Sequence, residues 1–389
     1  MKIGVMTYWS SDDNYGQVLQ CYALQAYLHL QGHDVFLIKY IPECQSTSFL
    51  QKIRKNLSWK KFLYMLGSQR KIDRQNYAVE CKLKKINHQL NASRKFDSFR
   101  EKYICSTEII YHSLQELRNN PPQADVYICG SDQVWNNQLD QPETAAWYLA
   151  FGGRDVKRVS YAASIGRTLE KKEKVCFKKY LSVFDAISVR EESTRLLCKS
   201  IGINNVLVTL DPTLLLPVEE YRRFEPKIKD SLSIPYLFIY ILNVTRKEEI
   251  YWEQIQDFLK EKHLDCKIIC SSGYLQAREI VDGYKNIQAT VPEWIHYIDQ
   301  AAFVVTTSFH GVVFCVKMHK PFLAILLTNK YSKGNDRIVS LLHSLDLSDR
   351  IYDSNLPIDI QIQKKIDWER TEQKISALKK VSCDFLNLL

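Results

Sequence analysis

Proline and glycine are scarce in this 389-residue chain, 11 and 13 residues respectively. That excludes collagen-like and linker-like architectures. No stretch approaches 18 uncharged apolar residues, so no membrane-spanning helix is expected. The eleven cysteines include no C-x-x-C pair, and Cys266 and Cys270 have no neighbouring Cys/His pair to complete a zinc pattern. No metal site is expected. The dinucleotide fingerprint G-x-G-x-x-G and the P-loop ending G-K-[ST] are both missing, which disfavours a nicotinamide oxidoreductase and a P-loop enzyme. Helix-turn-helix, zinc-finger and RNP-like motifs are missing too, so nucleic acid is not an expected partner. Met1-Lys2-Ile3-Gly4-Val5 opens straight into a β-prone run without the pattern of a signal peptide, and a cytoplasmic protein is expected. Cys21, Cys129, Cys198, Cys270 and Cys315 lie in apolar stretches and read as reduced core thiols.

What is present is ordinary globular sequence: 46% hydrophobic and 25% charged, with length enough for two domains. Apolar β-prone runs alternate with helical patterns. The strand candidates are 3–8, 35–40, 126–129, 159–163, 186–189 and 206–210, then 236–242, 267–270, 303–307 and 322–327. Most are continuous apolar runs, as in parallel strands covered on both faces. The clearest helix carries Leu19, Tyr22, Ala23, Ala26, Tyr27 and Leu30 on one face and stops at Gly32. This βαβ grammar predicts an α/β protein with two open, mostly parallel sheets. The break is expected after Asp211-Pro212-Thr213, dividing the chain into 1–212 and 213–389, and the tail from Asp367 reads as a helix.

Charge is uneven. Residues 51–102 hold fifteen Lys/Arg against four acids, a net +11, so the remainder carries −2 of the chain's +9. Phe49, Leu50, Ile53, Leu57, Phe62, Leu63, Met65 and Leu66 lie among these lysines. A cationic helical insertion over 44–102, with an apolar face in 49–102 for an anionic bilayer surface, is one expectation. A solvated insertion packed on the first domain is the other.

In open α/β sheets, ligands bind beyond the carboxyl ends of strands. The first such loop offers Asp12, Asp13, Asn14 and Gln17 before the first helix. The third strand ends in Gly130-Ser131-Asp132-Gln133-Val134-Trp135-Asn136, where Asp132, Gln133 and Asn136 suit sugar hydroxyls and Trp135 suits stacking on a ring. Simple helix and turn capping serves equally for both segments. Arg190 closes the strand at 186–189, where its guanidinium fits a carboxylate or phosphate, or pairs locally with Glu191 and Glu192. Thr307-Ser308-Phe309-His310-Gly311 joins a strand to a helix N-terminus, placing His310 as a proton donor or anion ligand with Gly311 allowing close approach. Lys330, Lys333 and Arg337 follow the last strand. Together with Arg190 and His310 they predict a cationic pocket for a small polyanion.

In combination these motifs resemble the polysaccharide pyruvyl transferase family. The resemblance rests on Asn14-Tyr15-Gly16-x-x-Leu19-Gln20-x-Tyr22-Ala23-Leu24-Gln25, Gly130 to Asn136, and Ser188-Val189-Arg190-Glu191. It continues in Asp211-Pro212-Thr213-Leu214-Leu215, Thr307 to Gly311, and Lys320-Pro321-Phe322. It implies a GT-B-like fold of two Rossmann-like domains facing a cleft, with the acceptor on the first and the donor on the second. It also implies transfer of the enolpyruvyl carbons of phosphoenolpyruvate onto a sugar as a cyclic ketal, with release of phosphate and no further cofactor. On this resemblance His310 and Arg190 are catalytic. The donor set is Arg190, Ser308, His310, Gly311, Lys330, Lys333 and Arg337. The acceptor set is Asp12, Asp13, Asn14, Gln17, Asp132, Gln133, Trp135 and Asn136. Several members carry Arg two positions before the histidine. Ser308 stands there in this chain, leaving Lys330, Lys333 or Arg337 to supply that charge. The acceptor implied is a lipid-diphosphate-linked oligosaccharide, which the basic insertion at a membrane face would suit. A nucleotide-sugar glycosyltransferase and a non-catalytic sugar- or anion-binding protein are the alternatives.

Overall fold

A computed structural model of the chain describes residues 1–42, 91–137, 139, 141–224, 226, 235–244, 246–271, 284 and 286–389. Ten strands lie among them: β1 (Lys2–Met6), β2 (Asp34–Leu37), β3 (Val126–Cys129), β4 (Lys157–Ala163), β5 (Ala186–Val189), β6 (Val206–Val208), β7 (Tyr236–Leu242), β8 (Asp265–Ser271), β9 (Phe303–Thr306) and β10 (Phe322–Ala324). The first six form one sheet in the order β2-β1-β3-β4-β5-β6, and the rest a second in the order β10-β9-β7-β8. Every pairing between these strands is parallel. The ten expected strands are therefore the ten described ones, with ends shifted by a few residues. Strands such as β3 and β9 are buried at every position, which is why they lack a polar alternation.

The helix predicted around Leu19 spans Tyr15–Leu30, capped by the Asn14 side chain, and the chain turns at Gly32 with a φ of 82°. It is buried nearly all round because it lies between the two sheets. Tyr15 stacks on Trp294 at 5.2 Å and donates its hydroxyl to the Ala289 carbonyl (2.7 Å), so one apolar core runs continuously from the first half into the second. The C-terminal helix, Trp368–Leu386, starts at an Asp367 cap. Although it follows the second sheet in the chain, it packs on the first. Ser382 accepts from the Leu210 amide (2.9 Å), and Phe385 lies against Tyr161.

The basic insertion falls outside the described residues except for 91–102, and there the expectation of a surface segment needs correcting. Arg94 is fully buried. It donates to the Cys270 carbonyl and to Gln288 at 2.8 Å each, tying the end of the insertion to the second sheet. Arg100 donates to the carbonyls of Trp9 and Ser11 and pairs with Asp12 and Asp97, while Phe96 and Phe99 enter the core. These charges act as internal staples, since a buried guanidinium is stable only when carbonyls and carboxylates surround it. Among the described residues, no helix is long and apolar enough to cross a membrane.

Candidate active site

The carboxyl ends of β3, β5 and β6 from one sheet and β9 from the other converge on Asp211. This carboxylate has no exposed surface. Its Oδ1 accepts from the amide and hydroxyl of Thr213 (3.1 and 2.7 Å). Its Oδ2 accepts from Arg190 Nη1 (2.8 Å) and Ser131 Oγ (3.3 Å), and His310 Nε2 lies 3.3 Å from it, short of hydrogen-bond alignment. Arg190 also meets Asp132 Oδ1 at 3.1 Å, and Arg337 Nη1 approaches that same oxygen at 3.5 Å. Both guanidinium groups lie over the Phe309 ring, at 4.4 and 5.7 Å from its centroid. The structure thus brings Arg190, His310, Asp132 and Arg337 together around Asp211 and Phe309.

Burial alone would raise both aspartates. For Asp211, His310 and Arg190 outweigh burial; for Asp132, Arg190, His310 and Arg337 do. Both carboxyls are held below the ordinary range. Arg337 is pushed down to about 10, first by burial and then by repulsion from Arg190. The centre is therefore an alternation of charges, where a purely cationic pocket was expected. Two arginines there answer to the carboxylates of Asp132, Asp211 and Glu191, the last 3.9 Å from Arg190 Nε.

The remaining expected residues separate into groups. Ser308 caps the helix Phe309–Lys317 by accepting from the Gly311 amide at 3.3 Å. Gly311 is glycine because a Cβ would lie 2.3 Å from Thr306 Oγ1; protein, not ligand, fills that space. Lys330 is exposed beside Tyr331, outside the cluster. Lys333, with Arg337, lines a cavity next to it.

On the acceptor side, Asn14 accepts from the Gln17 amide and Gln17 Oε1 from the Ser11 amide, so these side chains build the loop. Asp12 pairs with Arg100, and Asp13 accepts from the Ser11 hydroxyl. Gln133 is half-buried under Gly166, and Asn136 is exposed. Trp135 requires a plain correction. It has no exposed surface and stacks on Tyr148 at 5.6 Å, so it is a core residue with no face for a sugar.

Sequence reasoning passed over three residues as site residues. Asp211 was visible only as a strand-end motif. Phe309 looked like a neighbour of the histidine. Gly16 looked like helix sequence, yet a Cβ there would sit 2.1 Å from His310 Nδ1: the first helix and the histidine touch across the two halves. The signal available for each was its place in a motif beyond a strand end.

Two parallel sheets with a charged cluster where their carboxyl ends face each other define a GT-B-like α/β protein. The chain belongs to the polysaccharide pyruvyl transferase family, a transferase family whose model matches residues 14–329. Among solved structures it is similar to an S. aureus MnaA–UDP co-structure, at 13% identity and a TM-score of 0.49, covering 100% of this chain and 97% of that one. It is also similar to the Methanocaldococcus jannaschii UDP-GlcNAc 2-epimerase in complex with UDP-GlcNAc and UDP, at 12% identity and a TM-score of 0.48, covering 98% and 100%. At this level the likeness does not bear on substrate. No curated protein matches the chain significantly.

Proposed function

We propose that this protein transfers the enolpyruvyl group of phosphoenolpyruvate to a sugar of a polysaccharide repeat unit, forming a pyruvate ketal and releasing phosphate. The observation that carries this reading is the meeting of Arg190 and His310, from strands of different sheets, at one oxygen of Asp211. His310 stands one residue inside the helix that Ser308 caps, so it lies where the helix dipole favours an anion. Of the three cations expected to make up for Ser308, Arg337 is the one that meets the cluster, 3.5 Å from Asp132 Oδ1.

In this scheme His310 gives a proton to the donor's methylene carbon, which becomes a methyl group and leaves C2 electrophilic. A sugar hydroxyl attacks C2 and its proton passes to the imidazole. The C2–O bond to phosphate then breaks. A second hydroxyl closes the ring, and its proton leaves with the phosphate. Asp132 and Asp211 are poor candidates for the base, because the neighbouring arginines and histidine hold them ionised and weakly basic. His310 is only 5% exposed and lies against Gly16, so entry of the donor requires the halves to part.

Incubation with phosphoenolpyruvate and a panel of lipid-linked and aryl glycosides, read by mass spectrometry and phosphate release, tests the proposal. The expected product is the sugar plus a pyruvate ketal with one phosphate freed per ketal. Thermal stabilisation by nucleotide sugars and none by phosphoenolpyruvate would replace this reading with a glycosyltransferase.

A further inference from the structure

Asp132, an acceptor residue by sequence, lies instead on cations of the donor set. One of its oxygens, Oδ1, serves two guanidinium groups: Arg190 Nη2 at 3.1 Å and Arg337 Nη1 at 3.5 Å. These come from different halves, Arg190 from the end of β5 and Arg337 from the helix Asn335–Ser344. Among the described residues they are the hydrogen-bond and ion-pair partners of the Asp132 carboxylate. Asp211 is held differently. The amide and hydroxyl of Thr213 fix its Oδ1, and Ser131 adds a third neutral donor at Oδ2. One aspartate is thus anchored by neutral groups as well as by charge, the other by charge alone. Arg337 in turn has Asp132 as its ion-pair partner among the described residues, while its Nε donates to the Gly334 carbonyl (3.2 Å).

A carboxylate bridging two arginines stands where an oxyanion ligand would, because guanidinium groups hold carboxylates and phosphates in the same way. The Asp132 backbone stays anchored when its side chain turns, since its carbonyl accepts from the Ser164 amide (2.9 Å). The Phe309 ring under both guanidinium groups steadies them while the anion changes. Arg337 is the most exposed charged side chain of the cluster, 15% against 9% or less for Asp132, Arg190, Asp211 and His310, so exchange begins there. We infer that Asp132 is a resident surrogate anion: it occupies the Arg190–Arg337 pair in the free protein and swings out when the phosphoryl group of the donor takes its position. A dianionic phosphoryl group brings more charge and more oxygens than the single shared Oδ1, so it displaces Asp132 where a monoanion such as acetate does not. The Asp132–Arg337 contact also joins the two halves, so donor binding releases one of the contacts that hold the cleft shut. The inference rests on the proposed function in taking a phosphorylated donor at this centre, and it adds that the protein competes with its own donor.

The test is calorimetric titration of the full chain with inorganic phosphate and with acetate, together with a crystal structure of the wild-type phosphate complex. Asp132→Asn keeps the size of the side chain, and asparagine tolerates the left-handed backbone at this position (φ 73°). The variant should bind phosphate at least tenfold more tightly than the wild type, as when a competitor filling about nine-tenths of the sites is removed. Acetate should bind the variant and not the wild type. Glu191→Gln removes another buried carboxylate, 3.9 Å from Arg190 Nε, without vacating the contact with Arg337, and its gain should be several-fold smaller. In the wild-type complex a phosphate oxygen should stand between Arg190 Nη2 and Arg337 Nη1 with Asp132 turned away. This structure keeps the test standing if a variant folds poorly. Equal gains in the two variants, no gain in Asp132→Asn, or an Asp132 carboxylate still on both arginines beside bound phosphate overturns the inference. None of these readouts needs phosphoenolpyruvate or turnover. Exchange without ketal formation removes the proposed function alone, and ketal formation with Asp132 unmoved removes this inference alone.

Discussion

Arg190 Nη1 and His310 Nε2 reach the same carboxylate oxygen, Oδ2 of Asp211, at 2.8 and 3.3 Å from the ends of strands in different sheets. Asp211 therefore sets the relative position of the two side chains assigned to the chemistry. Asp211→Asn keeps the shape and removes the charge. It should lower turnover by at least tenfold and cost roughly 3–5 kcal/mol of stability, because it leaves Arg190 with one fewer buried counter-charge. Denaturant titration and phosphate release from the folded fraction measure the two effects separately.

The depressed carboxyls of Asp211 and Asp132 also predict how stability responds to acid. Their contribution is fully present above the unfolded value of about 3.9. It fades as pH falls below that, because the unfolded chain takes up protons that the folded centre refuses. Unfolding midpoints should begin to drop at about pH 4 and fall more steeply as the pH is lowered further. Asp211→Asn should flatten that drop, and an identical slope in the variant would refute the assignment.

His310→Ala should lose about 10²–10⁴ in rate if the imidazole carries the protons. Far-ultraviolet dichroism should stay the same. A variant turning over at the wild-type rate would remove the histidine from the mechanism.

Gly16→Ala tests the contact between the halves. The new methyl group would overlap the imidazole ring, 2.1 Å from Nδ1, so the ring or the cleft must shift. The expected result is a large fall in kcat with a modest change in melting temperature. Full activity would mean that the ring is not held where the structure places it.

Trp135→Ala separates a core role from a sugar-binding one. Loss of this fully buried indole should cost about 3–5 kcal/mol, seen in denaturant titration. Acceptor KM should be unchanged in the protein that remains folded.

Much of the architecture was legible in the sequence because buried parallel strands are short apolar runs, and ten of them appear in order. Arg190 and His310 were legible because strand ends are where open α/β sheets bind ligands. Trp135 was misjudged because a tryptophan beside polar residues reads the same whether its ring faces solvent or Tyr148. Arg94 and Arg100 were misjudged for a related reason. Charge counting assigns a cation to the surface, and only the surrounding carbonyls of Trp9, Ser11 and Cys270 make burial affordable.

Local patterns of apolarity and motif already carry the two-sheet α/β grammar, the family and the strand ends on which a site is expected. The tertiary structure alone decided which charges meet. Asp132, Arg190, Asp211, His310 and Arg337 are up to some two hundred residues apart in the chain. Their pairing depends on how the two sheets face each other, a long-range packing relation that no local spacing encodes.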